Sequence, residues 1–223
     1  MVGVASRSTM DIATSIKNQN LSAEDARRIV DEIRGIDLKD GISFEIKEIS
    51  NIMDEMEYPG IRVTMNAIMG KLVTPMKIDM STGDVITPRA IEYQYKLLLE
   101  DRSIRLLSYN LETVLAEKLQ TVLARGLLNT RMRDFYDIRT LLSIYEEKMD
   151  DNILKSAFEA TCRKRKTESL KTEGAKTIAN IEDDVQLHHL WENYRTKYPY
   201  ATDISYEDIM GSVKQLFHKI SKS

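Results

Sequence analysis

Ile61-Arg62-Val63-Thr64-Met65-Asn66-Ala67 decides the fold class. Apolar side chains at 61, 63, 65 and 67 alternate with polar ones at 62, 64 and 66, the period of a strand with one buried face. The pattern recurs on both sides. Ile42, Phe44 and Ile46 alternate with Ser43, Glu45 and Lys47, and Leu72, Met76, Ile78 and Met80 lie opposite Val73, Pro75, Lys77 and Asp79. Pro75 marks an edge position or a bulge, and Ser81-Thr82-Gly83-Asp84 reads as a turn. Upstream, Ser22 with Asp25 opens a helix as a Ser-x-x-acid variant of the capping box. Ala26, Ile29, Val30 and Ile33 are its apolar stripe, and Gly35 ends it. Further upstream, alternation of Met10, Ile12 and Ile16 predicts a short strand that buries them and turns Thr9, Asp11 and Ala13 to the other face.

Downstream the punctuation changes. Six of the nine glycines and three of the four prolines fall in the first 100 residues, and no proline lies between Pro88 and Pro199, so nothing there forbids long helices. Asn110 as N-cap and Gly126 as stop predict a helix over 111–125. A second is expected over 134–148 with Phe135, Ile138, Leu142 and Tyr145 inward, and less regular ones over 151–170, 176–195 and 205–221. The chain is therefore expected to be α+β, with a mixed α/β core in residues 1–100 and a mostly helical domain in 101–223.

Composition narrows the class. At 223 residues with 42% hydrophobic and 30% charged residues, the chain has the make-up of a globular protein. No apolar run approaches the roughly 18 residues of a membrane span. The N-terminus lacks the layout of a signal peptide, so no membrane partner and a cytoplasmic location are expected. A lone cysteine, Cys162, excludes an internal disulfide and a cysteine-based zinc site. Basic and acidic residues number 12 and 16 in residues 1–100, and 20 and 19 in 101–223. This balance does not predict wholesale nucleic-acid binding, although a local basic patch can still grip an RNA.

Five stretches can carry chemistry, each with an ordinary structural reading beside it. Asp11, beside a strand end, is a metal ligand or a turn aspartate. Lys77 and Asp79 share a strand face; if that strand pairs with the Asp11 strand, two carboxylates converge across roughly 5 Å, which suits Mg²⁺ and phosphoryl or nucleotidyl transfer. The alternative is an exposed edge with ordinary charges. Lys118 falls on the apolar stripe of Leu111, Val114, Leu115, Leu119 and Val122, so it snorkels outward, pairs, or reaches a ligand such as a nucleotide's phosphates. Asp134 and Asp137 open a helix, where acids favour the dipole, yet Arg125, Arg131, Arg133 and Arg139 crowd the same region and can neutralise phosphates. Arg163-Lys164-Arg165-Lys166, with Lys171, is an RNA-backbone contact or a solvated helix face. His188, His189, His218 and Cys162 show no spacing for metal or nucleophilic catalysis, and Trp191 reads as core or interface.

Four of these pieces in order carry a resemblance. Arg7-Ser8-Thr9-Met10-Asp11-Ile12, Lys77-Ile78-Asp79 with Ser81-Thr82-Gly83-Asp84-Val85-Ile86-Thr87-Pro88, Tyr109-Asn110-Leu111-Glu112-Thr113-Val114-Leu115-Ala116-Glu117-Lys118-Leu119, and Asn129-Thr130-Arg131-Met132-Arg133-Asp134-Phe135-Tyr136-Asp137 closely resemble the AbiEii/AbiGii toxin family over about residues 6–145. These are nucleotidyltransferase-like toxins of bacterial abortive-infection toxin–antitoxin pairs, a form of phage defence. The resemblance implies a polymerase β-like nucleotidyltransferase sheet followed by a helical domain. It implies transfer of a nucleoside monophosphate from an NTP, with Mg²⁺, to a tRNA, another RNA or a protein, and a cognate antitoxin. On that carry-over Asp11 and Asp79 hold the metal, Ser8, Lys77 and Lys118 bind the nucleotide, and Asp134 or Asp137 completes the catalytic set.

Two departures stand against the family pattern. The Asp-x-Asp pair of the first motif has Ala13 in its second position. Acids at i and i+2 share a strand face about 6.6 Å apart and together can bridge two ions; a methyl group ligates none. The family's upstream Gly-Gly or Gly-Ser motif, which cradles phosphates, is also missing, with six residues before Arg7 and Gly3 alone among them. The expectation is a toxin-family chain impaired as an enzyme: shortened at its N-terminus, an active-site variant, or a degenerate paralogue. A sheet incomplete at that end exposes an edge, which predicts a homodimer, strand exchange or marginal stability. The competing reading is a non-catalytic RNA- or partner-binding module on the same fold, and a third is an enzyme using Asp11 and Asp79 alone.

Overall fold

The computed structural model describes residues 11–16, 21–52, 60–82, 84–97 and 100–222. They belong to two compact units, Gly3–Asp84 and Val85–Ser223. The architecture is mixed α+β, with a mixed sheet first and a helical C-terminal region after it.

In the first unit, β1 (Asp11–Ile16) is followed by α1 (Ala23–Arg34), β2 (Ile42–Ile52), β3 (Gly60–Met69) and β4 (Leu72–Thr82). The capping box at the start of α1 is complete: Asp25 N donates to Ser22 Oγ at 3.1 Å and Ser22 N to Asp25 Oδ2 at 3.2 Å. The sheet order is β1-β4-β3-β2, with β1 parallel to β4 and the other pairs antiparallel. Alternation then sorts the faces. Ile61, Val63, Met65 and Met80 pack beneath Ala26 and Val30 of α1. The apolar period of β2 slips by one residue between Ile46 and Ile49, and a register shift between Ile46 and Glu48 takes up the slip, keeping both on the core face. Pro75 pairs with Asn66 of β3, and the described part of β1 joins β4 only from Lys77 onward, so among the described residues this stretch of β4 has one partner strand, a place that tolerates a residue without an N–H.

One expected burial in this unit fails. Ile12 is 45% exposed, because among the described residues β1 has a neighbour on one side only and α1 packs over β2 and β3. Met10 and Thr9 lie outside the described residues.

The second unit opens with an unexpected element, a hairpin of β5 (Ile91–Lys96) and β6 (Ser103–Ser108). Then follow α2 (Leu111–Arg125), α3 (Met132–Tyr145), α4 (Asp151–Lys164), α5 (Leu170–Glu182), α6 (Val185–Lys197) and α7 (Tyr206–Ser221). Asn110 caps α2 as expected, its Oδ1 accepting from Thr113 N at 2.9 Å, and its Nδ2 donates to Thr87 O at 2.5 Å. Gly126 ends α2 at φ +50°, a left-handed backbone that favours glycine. The helix expected over 176–195 is two helices, broken at Asp183-Asp184, where the Asp184 carboxylate accepts from Leu187 N at 2.8 Å and starts α6. The core of the unit gathers Leu115, Leu119, Phe135, Ile138, Phe158, Ile209 and Leu216. Trp191 belongs to it, fully buried with Nε1 donating to Ile204 O at 3.1 Å. Among the described residues no helix is long and apolar enough to cross a membrane.

Candidate functional site

The motif residues of the helical unit form one charged cluster. Lys118 lies on α2 among Leu115, Leu119 and Val122, all fully buried, so its ammonium must find counter-charges at the edge of the core. It finds two on the first turn and a half of α3. Lys118 Nζ lies 2.9 Å from Asp134 Oδ1 and 2.7 Å from Asp137 Oδ2. The spacing i, i+3 on α3 sets both carboxylates on one face. The lysine side chain is 20% exposed, those of Asp134 and Asp137 5% and 10%.

A second cation closes the other side of Asp134. Arg131 Nε donates to Asp134 Oδ2 at 3.0 Å. The entry to α3 is fixed by Asn129, fully buried, whose Oδ1 accepts from Arg131 N at 2.9 Å. Burial pushes the Asp134 carboxyl up, but the attraction of Lys118 and Arg131, the Lys118 hydrogen bond and the charge of Arg133 outweigh it and hold the group below the usual carboxylate range. Asp134 is thus an anion with both oxygens engaged. Lys118 neither snorkels nor stands idle: it is a clamped cation whose two carboxylates account for two of its three N–H donors.

The sheet unit holds the other predicted residues. β1 and β4 do pair, as the convergence of Asp11 and Asp79 required, but the register sets Asp11 beside Lys77 and Ala13 beside Asp79. On its other flank Asp79 meets Arg62 of β3. The guanidinium takes both carboxylate oxygens, Nε to Oδ1 and Nη2 to Oδ2, each at 2.7 Å, the fork geometry of the strong Arg–carboxylate pair. One row across the sheet therefore reads Ala13, Asp79, Arg62. Thr14 Oγ1 donates to Asp79 O at 3.4 Å and Ser81 Oγ to Thr14 O at 3.3 Å, which ties β1 to β4; Ser81 Oγ also bonds the Asp84 carboxylate. Lys77 is exposed. Ser8 lies outside the described residues, and Asp11 enters only through its backbone.

Nucleotidyltransferases typically use a divalent metal, which carboxylate oxygens would have to hold. Among the described residues no three His, Cys, Asp or Glu side chains cluster to hold a metal ion. Asp79 faces a methyl group on one side and a guanidinium on the other, and among the described side chains these residues do not fit an Mg²⁺ site.

The basic run 163–166 is divided by the end of α4. Arg165 turns inward, Nη1 donating to Gln120 Oε1 at 2.6 Å and Thr121 Oγ1 at 3.1 Å, while Arg163, Lys164 and Lys166 are exposed. Lys171 pairs with Glu159 at 2.8 Å. Cys162 is fully buried and its thiol is pushed up to about 11, first by that burial.

Sequence reasoning did not find Arg62 as the partner of Asp79. The alternation set it on the polar face of β3, but which residue it meets depends on register. Arg131, one of the four arginines that can neutralise phosphates, also donates to Asp134.

Comparison with known proteins gives a family match over nearly the whole chain. Residues 1–212 match the family described as "Nucleotidyl transferase AbiEii toxin, Type IV TA system". Two crystal structures from Helicobacter pylori are similar, one of a protein described as a nucleotidyltransferase and one of JHP933. Each is 16% identical over 96% of this chain and 78% of its own, with TM-scores of 0.42 and 0.43. No curated protein matches in sequence.

Proposed function

The chain belongs to the AbiEii nucleotidyltransferase toxin family of type IV toxin–antitoxin systems, and on that footing we propose a toxin whose transfer of a nucleoside monophosphate to an RNA or protein acceptor is impaired in this chain. The family implies an NTP substrate and an antitoxin partner. The observation that carries the impairment is the row Ala13, Asp79, Arg62. Nucleotidyl transfer breaks the bond between the α- and β-phosphates, and the charge on the leaving pyrophosphate must be met by fixed positive groups. A sheet that offers a methyl group where the family has its second acid, and an Asp79 already matched by Arg62, has among its described side chains no pair of carboxylates that would gather a cation there.

The helical unit keeps what the sheet has lost. In this reading Lys118, held by Asp134 and Asp137, is the cation that meets the triphosphate, and Arg131 keeps Asp134 ionised so that the lysine stays placed. Arg163, Lys164 and Lys166 are the surface that an RNA backbone would meet.

The test is incubation with α-labelled NTPs, Mg²⁺ or Mn²⁺ and total tRNA. Binding of NTP, lost in Lys118→Met, without label transfer is the expected result. Robust transfer by the unaltered chain overturns the impairment. Tight, salt-sensitive RNA binding with no affinity for NTP would instead select the non-catalytic binding module.

A further inference from the structure

The sheet unit leaves a compact apolar surface at the end where α1 stops. Ile33, Ile36, Leu38, Ile42, Met69 and Leu72 are each between 41% and 71% exposed. Register makes one surface of the three strand residues: Ile42 pairs with Met69, and Met69 with Leu72. They share the parity of Phe44, Met65 and Met76, so they continue the face that α1 covers elsewhere. Arg34 Nη1 donates to Phe44 O at 3.4 Å, which fixes the last turn of α1, and Ile33 with it, over the start of β2. Ile36 and Leu38 lie on the segment that joins the two. The helix ends while the strands run on, and among the described residues no helix lies above the last row of the sheet.

Size and charge say what covers this face. The six side chains leave on the order of 600 Å² exposed, the upper end of what monomers tolerate and close to the ~800 Å² per partner of a standard interface. The rim is balanced in charge: Asp37 and Asp40 stand beside Lys39 and Lys71, all exposed. The Asp37 and Asp40 carboxylates accept from Lys39 N at 2.8 Å and Ile42 N at 2.9 Å, so they are fixed in place by their own loop. A rim with two charges of each sign has no excess to attract a nucleic acid, but it is self-complementary: a two-fold axis can bring each lysine to an aspartate of the other copy.

We propose that this end of the sheet is an isologous interface that pairs two copies of the chain. The apolar row forms its centre, and Lys39 and Lys71 of one copy meet Asp37 and Asp40 of the other. The interface is independent of the nucleotide chemistry above.

Light scattering on the eluting chain tests it. The expected result is a concentration-dependent species of twice 25.7 kDa. Leu38→Glu and Leu72→Glu alter side chains that are already more than half exposed, so circular dichroism should be unchanged while association weakens tenfold or more. The charge-reversed chains Lys39→Glu/Lys71→Glu and Asp37→Lys/Asp40→Lys should each fail to self-associate, and mixing them should restore a heterodimer. A monomer at every concentration overturns the proposal. So does a dimer indifferent to Leu38→Glu and Leu72→Glu, because the contact then lies elsewhere.

Discussion

Replacing Lys118 with methionine should destabilise the helical unit in a way that fades with acid. The substitution keeps the unbranched stem along Leu115, Leu119 and Val122 and removes only the ammonium that lies 2.9 Å from Asp134 and 2.7 Å from Asp137. Losing one partner of a buried pair costs about 3–5 kcal/mol, because the other charge is left uncompensated. Asp134 retains Arg131 at 3.0 Å, so the lower end, about 3 kcal/mol, is expected at neutral pH, or roughly 6–12 °C in Tm for a unit of this size.

The pH dependence separates charge from packing. Asp134 titrates below the ordinary carboxylate value. Such a group contributes stability above its unfolded pKa of about 3.9 and loses it as pH falls through the lower folded value. Without Lys118 the upward push of burial faces less opposition, so in the variant Asp134 protonates at higher pH. The gap between the two proteins should therefore shrink as pH falls below about 4, toward the lowered native value. Urea unfolding followed by the fluorescence of Trp191, the single tryptophan and fully buried in this unit, reads it directly. A gap equal at pH 7 and pH 3 would refute the electrostatic account and assign the loss to packing. Lys118→Arg should recover part of the stability, and adding Asp134→Asn to Lys118→Met should cost less than the sum of the singles, by about 1–3 kcal/mol of coupling.

Three further outcomes are expected. Gly126→Ala should cost about 1 kcal/mol in urea unfolding, since the φ of +50° disfavours a side chain while a Cβ would meet only Thr177 Cγ2 at 3.8 Å. Cys162 should resist a thiol reagent at pH 8 and react fully in denaturant, because burial keeps its thiol protonated up to about 11 and out of reach; fast reaction in the native state would contradict its place in the core. Ala13→Asp sets a second carboxylate beside Asp79, so by calorimetry it should gain Mg²⁺ or Mn²⁺ binding absent from the parent chain, and in chelator it should lose about 0.5–1 kcal/mol from like charges on neighbouring strands.

What the sequence made legible was periodicity and punctuation. Strands β2, β3 and β4 follow from alternation, α1 from Ser22 and Asp25, and α2 from Asn110 and Gly126, because each signal is local. The hairpin β5–β6 also alternates, as Ile91-Glu92-Tyr93-Gln94-Tyr95-Lys96 shows, but its two short strands sit beside a long proline-free tract that pointed to helices. The break between α5 and α6 carries no glycine or proline, and only the N-capping Asp184 announces it. Lys118 was legible as an anomaly, a charge on an apolar stripe, while its partners 16 and 19 residues onward were legible only as a motif. Arg62 was not legible as a site residue at all, since no local pattern encodes which residue of β4 it will face.

The two clusters follow the same electrostatic logic. In each, an acid held away from bulk water is matched within the unit: Asp79 by the fork of Arg62, and Asp134 by Lys118 and Arg131. Neutral clusters of this kind need no ion to fold, so the fold can persist where the metal-gathering acids do not. The helical cluster differs in one respect that bears on function. Lys118 satisfies two carboxylates yet remains partly exposed, and an incoming phosphate can take up its remaining donor without first breaking either pair. Asp79 offers no such opening, because an ion arriving there must displace a bidentate guanidinium with Ala13 giving it nothing on the far side. On the proposed reading, nucleotide binding at Lys118 and failure of transfer at the sheet are separable, and the substitutions Lys118→Met and Ala13→Asp should each move one of them and leave the other in place.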